Sequence, residues 1–386
     1  MIRMIGASTA EIDDPRAALS DILGQLNLDD ALLCNSVGIV SCHSDFLETG
    51  VLEELCGNLP FDVVGTTTLG SSSHGKCGVE LLSLSIITAD DVSFSTAYSE
   101  PITEDFMREP VEEAYERALA GLRDEPRFAL VFSPCLKTVS GESIMDVLDE
   151  RSGGLPLFGA VACDHTLCYD EIKTFAGGES RSDSLGLVLI GGNIKPRFFY
   201  SSVSESRTRK QNAIITESHG RILRRVNNIP LMKYLTAQGL TSGCVIRAFG
   251  SIPFLVDFND GTKPAARAIS GITEEGYAAC DGLMPVGAVL TIGSIDGGDI
   301  LKTAESTVRE AALGDSINGM LVFSCFVRCL MLGPNPSAEM RSALGVIGDK
   351  APCHISYAGG EICPACGSDG RTFNRFHNFS CTVCVF

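Results

Sequence analysis

A chain of 386 residues exceeds what one ordinary hydrophobic core uses, at about 150 residues per domain, and excludes a small stapled module. Hydrophobic residues at 45% and charged residues at 20%, with 40 glycines and 16 prolines spread along the chain, exclude a disordered or collagen-like polymer. A net charge of -18 repels phosphate backbones and anionic lipid heads, so neither nucleic acid nor a membrane is expected as a partner.

The N-terminal stretch MIRMIGASTAEIDD reaches carboxylates before an apolar run long enough for a signal peptide, and no later run approaches the ~20 residues that span a bilayer. A cytoplasmic location is therefore expected. There the 16 cysteines stay reduced, as small core residues, metal ligands or reactive thiols rather than disulfides.

In chain order, MIRMIGA (1–7) reads as a strand, and Leu19, Ile22, Leu23 and Leu26 behind Asp14-Pro15 form one face of a helix. NSVGIVSCHSDF (35–46) is an apolar strand that stops at Ser41-Cys42, and Val51, Leu52, Leu55, Cys56 and Leu59 make the next helical face. PFDVVGTT (60–67) enters a second strand at Gly65, and VELLSLSI (79–86) is a third. The same order recurs twice. DVSFSTA (91–97) leads to a helix with Val111, Ala114, Tyr115 and Ala118, then to RFALVFSPCLKT (127–138), a helix with Ile144, Val147 and Leu148, and strands at LPLFGAVA (155–162) and SLGLVLIGG (184–192). GAVLTIGSI (287–295) precedes a helix with Leu301, Ala304, Val308 and Ala311, then NGMLVFSCFVRC (318–329), a helix with Met340, Ala343 and Ile347, PCHISYAGG (352–360) and NFSCTVCVF (378–386). For the last of these helices Asn335 is placed as N-cap and Pro336 as first helical residue.

The pattern predicts an α/β protein with mixed β-sheets flanked by helices, built from three βαβαββ-like repeats (1–90, 91–192 and 283–386) arranged in two lobes. Residues 193–282 form an insertion that bridges them, and the chain divides into halves at 1–228 and 229–386. Glycines 65, 159 and 359 mark places where backbones approach closely.

Ligands in α/β sheets sit at the carboxyl ends of strands, where the loops are free of the sheet's own hydrogen bonds. Ser133, Cys135, Gly159 and Asp164 lie at such ends. The densest polar cluster is in the last repeat: Ser324, Cys325 and Arg328 in one loop, Glu339 opening a helix, Glu361 after the next strand, and His377-Asn378 before the last. Arg328 can hold a ligand carboxylate in a bidentate fork with Glu361 accepting from its ammonium, or it can neutralise Glu361. His377 can do chemistry or cap a strand. The cysteines can face a ligand or fill tight strand ends.

These residues carry a family resemblance. FSCFVR (323–328), Glu339, YAGGEI (357–362) and the pair His377-Asn378 resemble the C-terminal signature of the FIST domain. VVGTTTLG (63–70), LPLFGAVACD (155–164) and NIPLMKYLTAQGL (228–240) resemble other parts of it, so that nearly the whole chain is covered. The resemblance implies a sensory module of intracellular signal transduction that binds small molecules such as amino acids, with a signalling protein as a further partner and no catalytic activity. No cofactor is expected.

Two other chemistries remain open. Cys363-Pro-Ala-Cys366 and Cys381-Thr-Val-Cys384 approach the spacing of a four-thiolate zinc site, although Cys381 and Cys384 fall in a β-rich run that turns them to opposite faces. A thiol enzyme would use Cys325 or Cys135 with His377, His165 or His43 as base, acting on a small metabolite.

Overall fold

The computed structural model describes residues 1–166, 170–209, 213–240, 252–314 and 317–386. Its strands form three six-stranded sheets and one of eight strands. The first sheet orders Ile2–Thr9, Leu82–Ala89, Asn35–Cys42 and Val63–Thr67. The second orders Val92–Tyr98, Gly186–Gly192, Pro126–Ser133 and Leu157–Val161, and the third Arg197–Ser201, Cys381–Val385, Met320–Cys325 and Cys353–Ala358. Each holds a single parallel pair, between the strand that ends in Ser or Cys and the strand after the next helix. The remaining pairs in these sheets are antiparallel, so the sheets are mixed, as the sequence implies.

Two further strands complete each sheet, and they come from elsewhere in the chain. The hairpin Thr174–Ala176 with Glu179–Arg181 extends the first sheet through Val63–Thr67. The hairpin Glu361–Cys366 with Thr372–His377 extends the second through Leu157–Val161. The hairpin Ser71–Ser73 with Lys76–Gly78 extends the third through Cys353–Ala358.

The glycines fit this pairing. A Cβ on Gly65 would lie 1.8 Å from the Val40 carbonyl oxygen, and one on Gly159 would lie 1.9 Å from that of Val131. Real Cβ atoms never approach so closely, so only glycine lets the parallel neighbour pair at these positions.

Inner faces of the three six-stranded sheets share one core. Val37, Ile39 and Val64 meet Phe132 and Phe158 of the second sheet and Phe323 of the third. The Phe158 and Phe323 rings stack with centroids 5.2 Å apart. Helices cover the outer faces, one cluster to each sheet. Their ends follow local chemistry: the Asp14 carboxylate accepts from the Arg16 and Ala17 amides, and the Asp296 carboxylate from that of Asp299.

Two sequence expectations shift. The edge strand of the third sheet is Arg197–Ser201, while Val289–Ile292 joins the eight-stranded sheet formed by the insertion. The chain thus leaves the third sheet after its first strand and returns at the helix Gly297–Ala311. The last helix starts at Ala338 rather than Pro336, because the Asn335 carbonyl accepts from Ala338 in a preceding turn and the Pro336 carbonyl accepts from the Tyr357 hydroxyl. Among the described residues no helix is long and apolar enough to cross a membrane.

Candidate functional site

Ser324, Cys325, Arg328, Glu339 and Glu361 meet where the third sheet joins the hairpin donated to the second. Arg328 is fully buried. Its Nε and Nη2 both donate to Glu339 Oε1, at 2.9 and 2.7 Å. Nη1 donates to the Ser202 and Phe379 carbonyls, and Nη2 also reaches the Ile300 carbonyl and Thr303 Oγ1. Burial works against the charged guanidinium, but Glu339 more than offsets it and holds the pKa above the usual arginine value. Ser324 Oγ donates to the same carboxylate, 3.0 Å from each oxygen.

The guanidinium is therefore committed to Glu339, not to Glu361, and its donors are taken up within the fold. A ligand carboxylate in an Arg328 fork would have to displace them, and the sequence could not show this because it offers two carboxylates for one cation.

Glu361 is fully buried beside the Cys325 thiol and the Ser380 amide, which donates to Oε2 at 3.3 Å. Burial pushes its pKa well above the usual carboxylate value, which favours the protonated form. Its strand neighbours are Ala160, next to Gly159, on one side and His377 on the other. His377 is buried against the Tyr200 ring, with centroids 4.4 Å apart. Burial, with Arg267 and Arg375 nearby, depresses its pKa to about 3 and leaves it neutral. Its Nε2 lies 3.2 Å from the Cys363 carbonyl. A carbonyl only accepts, so the proton is on Nε2 and Nδ1 is a bare acceptor. Among the described residues Glu361 Oε1 and His377 Nδ1 are buried and have no hydrogen-bond partner.

The other expected residues have structural contacts of their own. Asn378 Oδ1 accepts from the Ala268 amide and ties the strand end to the inserted sheet. Ser133 Oγ donates to the next carbonyl, and the backbone carbonyl of Ser133 accepts from Ala162. Asp164 folds its own loop by accepting from Thr166 and Glu171. Cys42 and Cys325 close their strands, whereas Cys135 lies two residues past Ser133.

Burial, with Asp281 and Asp164 nearby, pushes the Cys135 thiol up to about 12, and burial together with Glu361 pushes Cys325 up as well. A nucleophilic cysteine needs the opposite shift. Cys381 and Cys384 turn to opposite faces of one strand, into different core clusters, and Cys366 is exposed at the hairpin end. Among the described residues no group of three or more His, Cys, Asp and Glu side chains is arranged to hold a metal ion.

Sequence reasoning missed two buried groups. A second buried ion pair joins Arg267 to Glu142, and His354 lies buried between Ser41 and Ser85. One signal was present: Glu142 and Glu339 are each the second residue of the helix that leads into the parallel partner strand, and each carries a buried arginine.

The FIST N domain model matches residues 36–229 and the FIST C domain model matches residues 230–364. No curated protein sequence matches the chain. Among solved structures, the chain is similar to a cyanuric acid hydrolase from A. caulinodans, at 11% identity and a TM-score of 0.38, over 100% of this chain and 98% of that one.

Proposed function

Since the chain belongs to the FIST family, whose domains are small-ligand sensory modules of signal transduction, we propose that it is a cytoplasmic small-molecule sensor whose ligand is an amino acid or another small carboxylate. The two halves, 1–228 and 229–386, act as one binding unit, and a signalling protein reads the outcome. The observation that carries the site is the pair of buried orphan atoms, Glu361 Oε1 and His377 Nδ1, on facing residues of one hairpin. Buried polar atoms are costly unless something pairs with them.

A neutral Glu361 can donate from Oε1 to a ligand carboxylate while His377 Nδ1 accepts from its ammonium. Arg328 supplies positive potential from behind, and Ser324, Cys325, Gly159, Asn378, Ser133, Cys135 and Asp164 shape the surroundings. Both orphan atoms are buried, so uptake requires the strand-end loops to part. Binding then changes conformation in itself, which suits a sensor.

A thermal-shift screen of amino acids and small carboxylates tests the reading, because a ligand at 100 times its Kd adds about 2.7 kcal/mol. The variant Glu361→Met removes the orphan acid. It should melt no lower than the parent and lose the ligand-induced shift. A panel in which no compound shifts the parent's Tm, or a shift that survives in Glu361→Met, rejects the site.

A further inference from the structure

A cavity of about 500 Å³ opens where the N-terminal strand, the end of the first helix, the turn at Ser73–Gly75 and the segment 344–353 meet. That volume is typical of small-molecule sites. None of its lining residues belongs to the Glu361–His377 cluster. Met4, Ile5, Leu344 and Ile347 give it apolar walls, and Ser73 and Ser85 border it with hydroxyls.

Those hydroxyls belong to a chain of hydrogen bonds whose direction can be derived. Ser73 Oγ donates to the Leu84 carbonyl at 2.9 Å, since a carbonyl can only accept. Ser73 has spent its proton, so in the 3.1 Å contact with Ser85 it must accept, and Ser85 donates. Ser85 has then spent its own, so His354 Nδ1 carries a proton and donates to Ser85 Oγ across 3.1 Å. His354 is buried and neutral, which leaves Nε2 bare to accept from Ser41 Oγ at 2.9 Å. The protons run one way, from Ser41 at the end of its strand, through His354, to the edge of the cavity.

The consequence is chemical selectivity. Toward the cavity, Ser73 and Ser85 have lone pairs to offer and no protons. Of the amides nearby, Gln25 Nε2 is spent on the Ser8 and Asp21 carbonyls and Asn27 Nδ2 gives one of its two protons to Asp30, while the His74 imidazole also lines the cavity. Among the described residues the lining holds one carboxylate, Asp349, and no lysine or arginine, in a chain of net charge -18. Gly6 keeps the room open, because a Cβ there would lie 2.3 Å from Ser73 Oγ.

We propose that this cavity is a second binding site, for a small amphipathic hydrogen-bond donor such as a primary amine or primary amide, with its head on Ser73 and Ser85 and its apolar body against Met4, Ile5, Leu344 and Ile347. It selects against carboxylates, and so differs in ligand class from the Glu361–His377 site.

Three matched probes test it: 2-phenylethylamine, phenylacetamide and phenylacetate. They are titrated into the full chain carrying 13C-methyl methionine, with the Met4 resonance identified by its loss in Met4→Leu. The amine and the amide should shift the Met4 methyl saturably, and the acid should bind at least tenfold more weakly. Leu344→Trp and Ala31→Tyr, which each add bulk to the cavity lining, should each abolish the shift while the remaining methionine spectrum stays folded. Equal binding of the acid, an unmoved Met4 methyl with all three probes, or saturable shifts in both filled variants would overturn the proposal. The readout is local to Met4, so its failure leaves the sensory reading standing, and failure of the carboxylate screen leaves this cavity untouched.

Discussion

Arg267 of the inserted sheet donates from Nη2 to Glu142 Oε1, in the first turn of the helix Gly141–Ser152, across 2.9 Å with both side chains buried. Its Nη1 also reaches the Phe376 and Ala266 carbonyls, and Glu142 Oε2 accepts from the Leu283 amide. A charge with this many fixed partners is a joint between the insertion and the rest of the fold. Removing one partner leaves the other charged and buried, which costs about 3–5 kcal/mol, more than most single surface changes. Arg267→Met should lower the urea midpoint by that measure. Hydrogen exchange should rise first in residues 254–292, and uniform exchange across the chain would contradict the joint.

Arg328 predicts a different outcome from that of a simple ligand clamp. Because Glu339, Ser324 and three backbone carbonyls depend on it, Arg328→Met should destabilise the fold by about 3–5 kcal/mol. The double variant Arg328→Met with Glu339→Met should recover most of that loss, since the uncompensated charge is gone. Equilibrium unfolding of the four proteins in the cycle measures the coupling, and additive losses would show that the pair is not the unit.

The glycines separate two meanings of one residue type. Gly65→Ala and Gly159→Ala place a methyl inside the van der Waals radius of a neighbouring carbonyl, so neither variant should fold to the parent sheet. Gly57 lies in the helix Val51–Asn58 with nothing beyond its own helix backbone and chain neighbours within 4 Å of where a Cβ would stand, and Gly57→Ala should raise stability by about 0.5–1 kcal/mol. Thermal melts of the three variants decide this.

His354 and His377 make stability depend on pH in one direction. Burial holds their folded pKa values near 4 and 3, below the unfolded value near 6.5. The unfolded chain thus binds more protons between these limits, and stability falls as pH drops from about 6.5 to about 4. His354 alone accounts for about 3 kcal/mol over that window. His354→Gln, compared with the parent by urea unfolding at pH 7 and pH 4.5, should show a visibly smaller difference between the two conditions.

Thiol labelling follows exposure. Cys34 and Cys366 are exposed and should take up iodoacetamide in the native protein, whereas Cys42, Cys325, Cys363 and Cys384 should react only on unfolding. Peptide mass spectrometry after a short pulse reads the order, and rapid labelling of Cys325 would revive a chemical role for it.

The edge strand of the third sheet was expected at 287–295 and lies at Arg197–Ser201, while the long strands and helices of the first two six-stranded sheets were legible because apolar strands and amphipathic helices announce themselves by period. Ser71–Ser73 was not, since a three-serine strand has no hydrophobic pattern and its partner, Cys353–Ala358, lies far along the chain. The same distance hid Arg267 from Glu142. At the site, the motif residues Ser324, Cys325, Arg328 and Glu361 do come together, but the pairing among them rested on orientation. Glu339 faces Arg328 from the next helix, while Glu361 turns toward Ser380 and Cys325, and nothing in residue order distinguishes the two carboxylates.

The lent hairpins close a circuit: the first segment of the chain completes the third sheet, the third completes the second, and the second completes the first. Each sheet therefore waits for another segment before its outer strands have a partner. A ribosome making this chain leaves the second sheet unfinished until residues 361–377 emerge, and the Ser71–Ser73 hairpin has no dock until Cys353–Ala358 is made. Unpaired strand edges invite other chains. The architecture thus puts its period of greatest exposure to aggregation before residues 361–377 are made, and a nascent chain stalled short of them is a natural client for a chaperone.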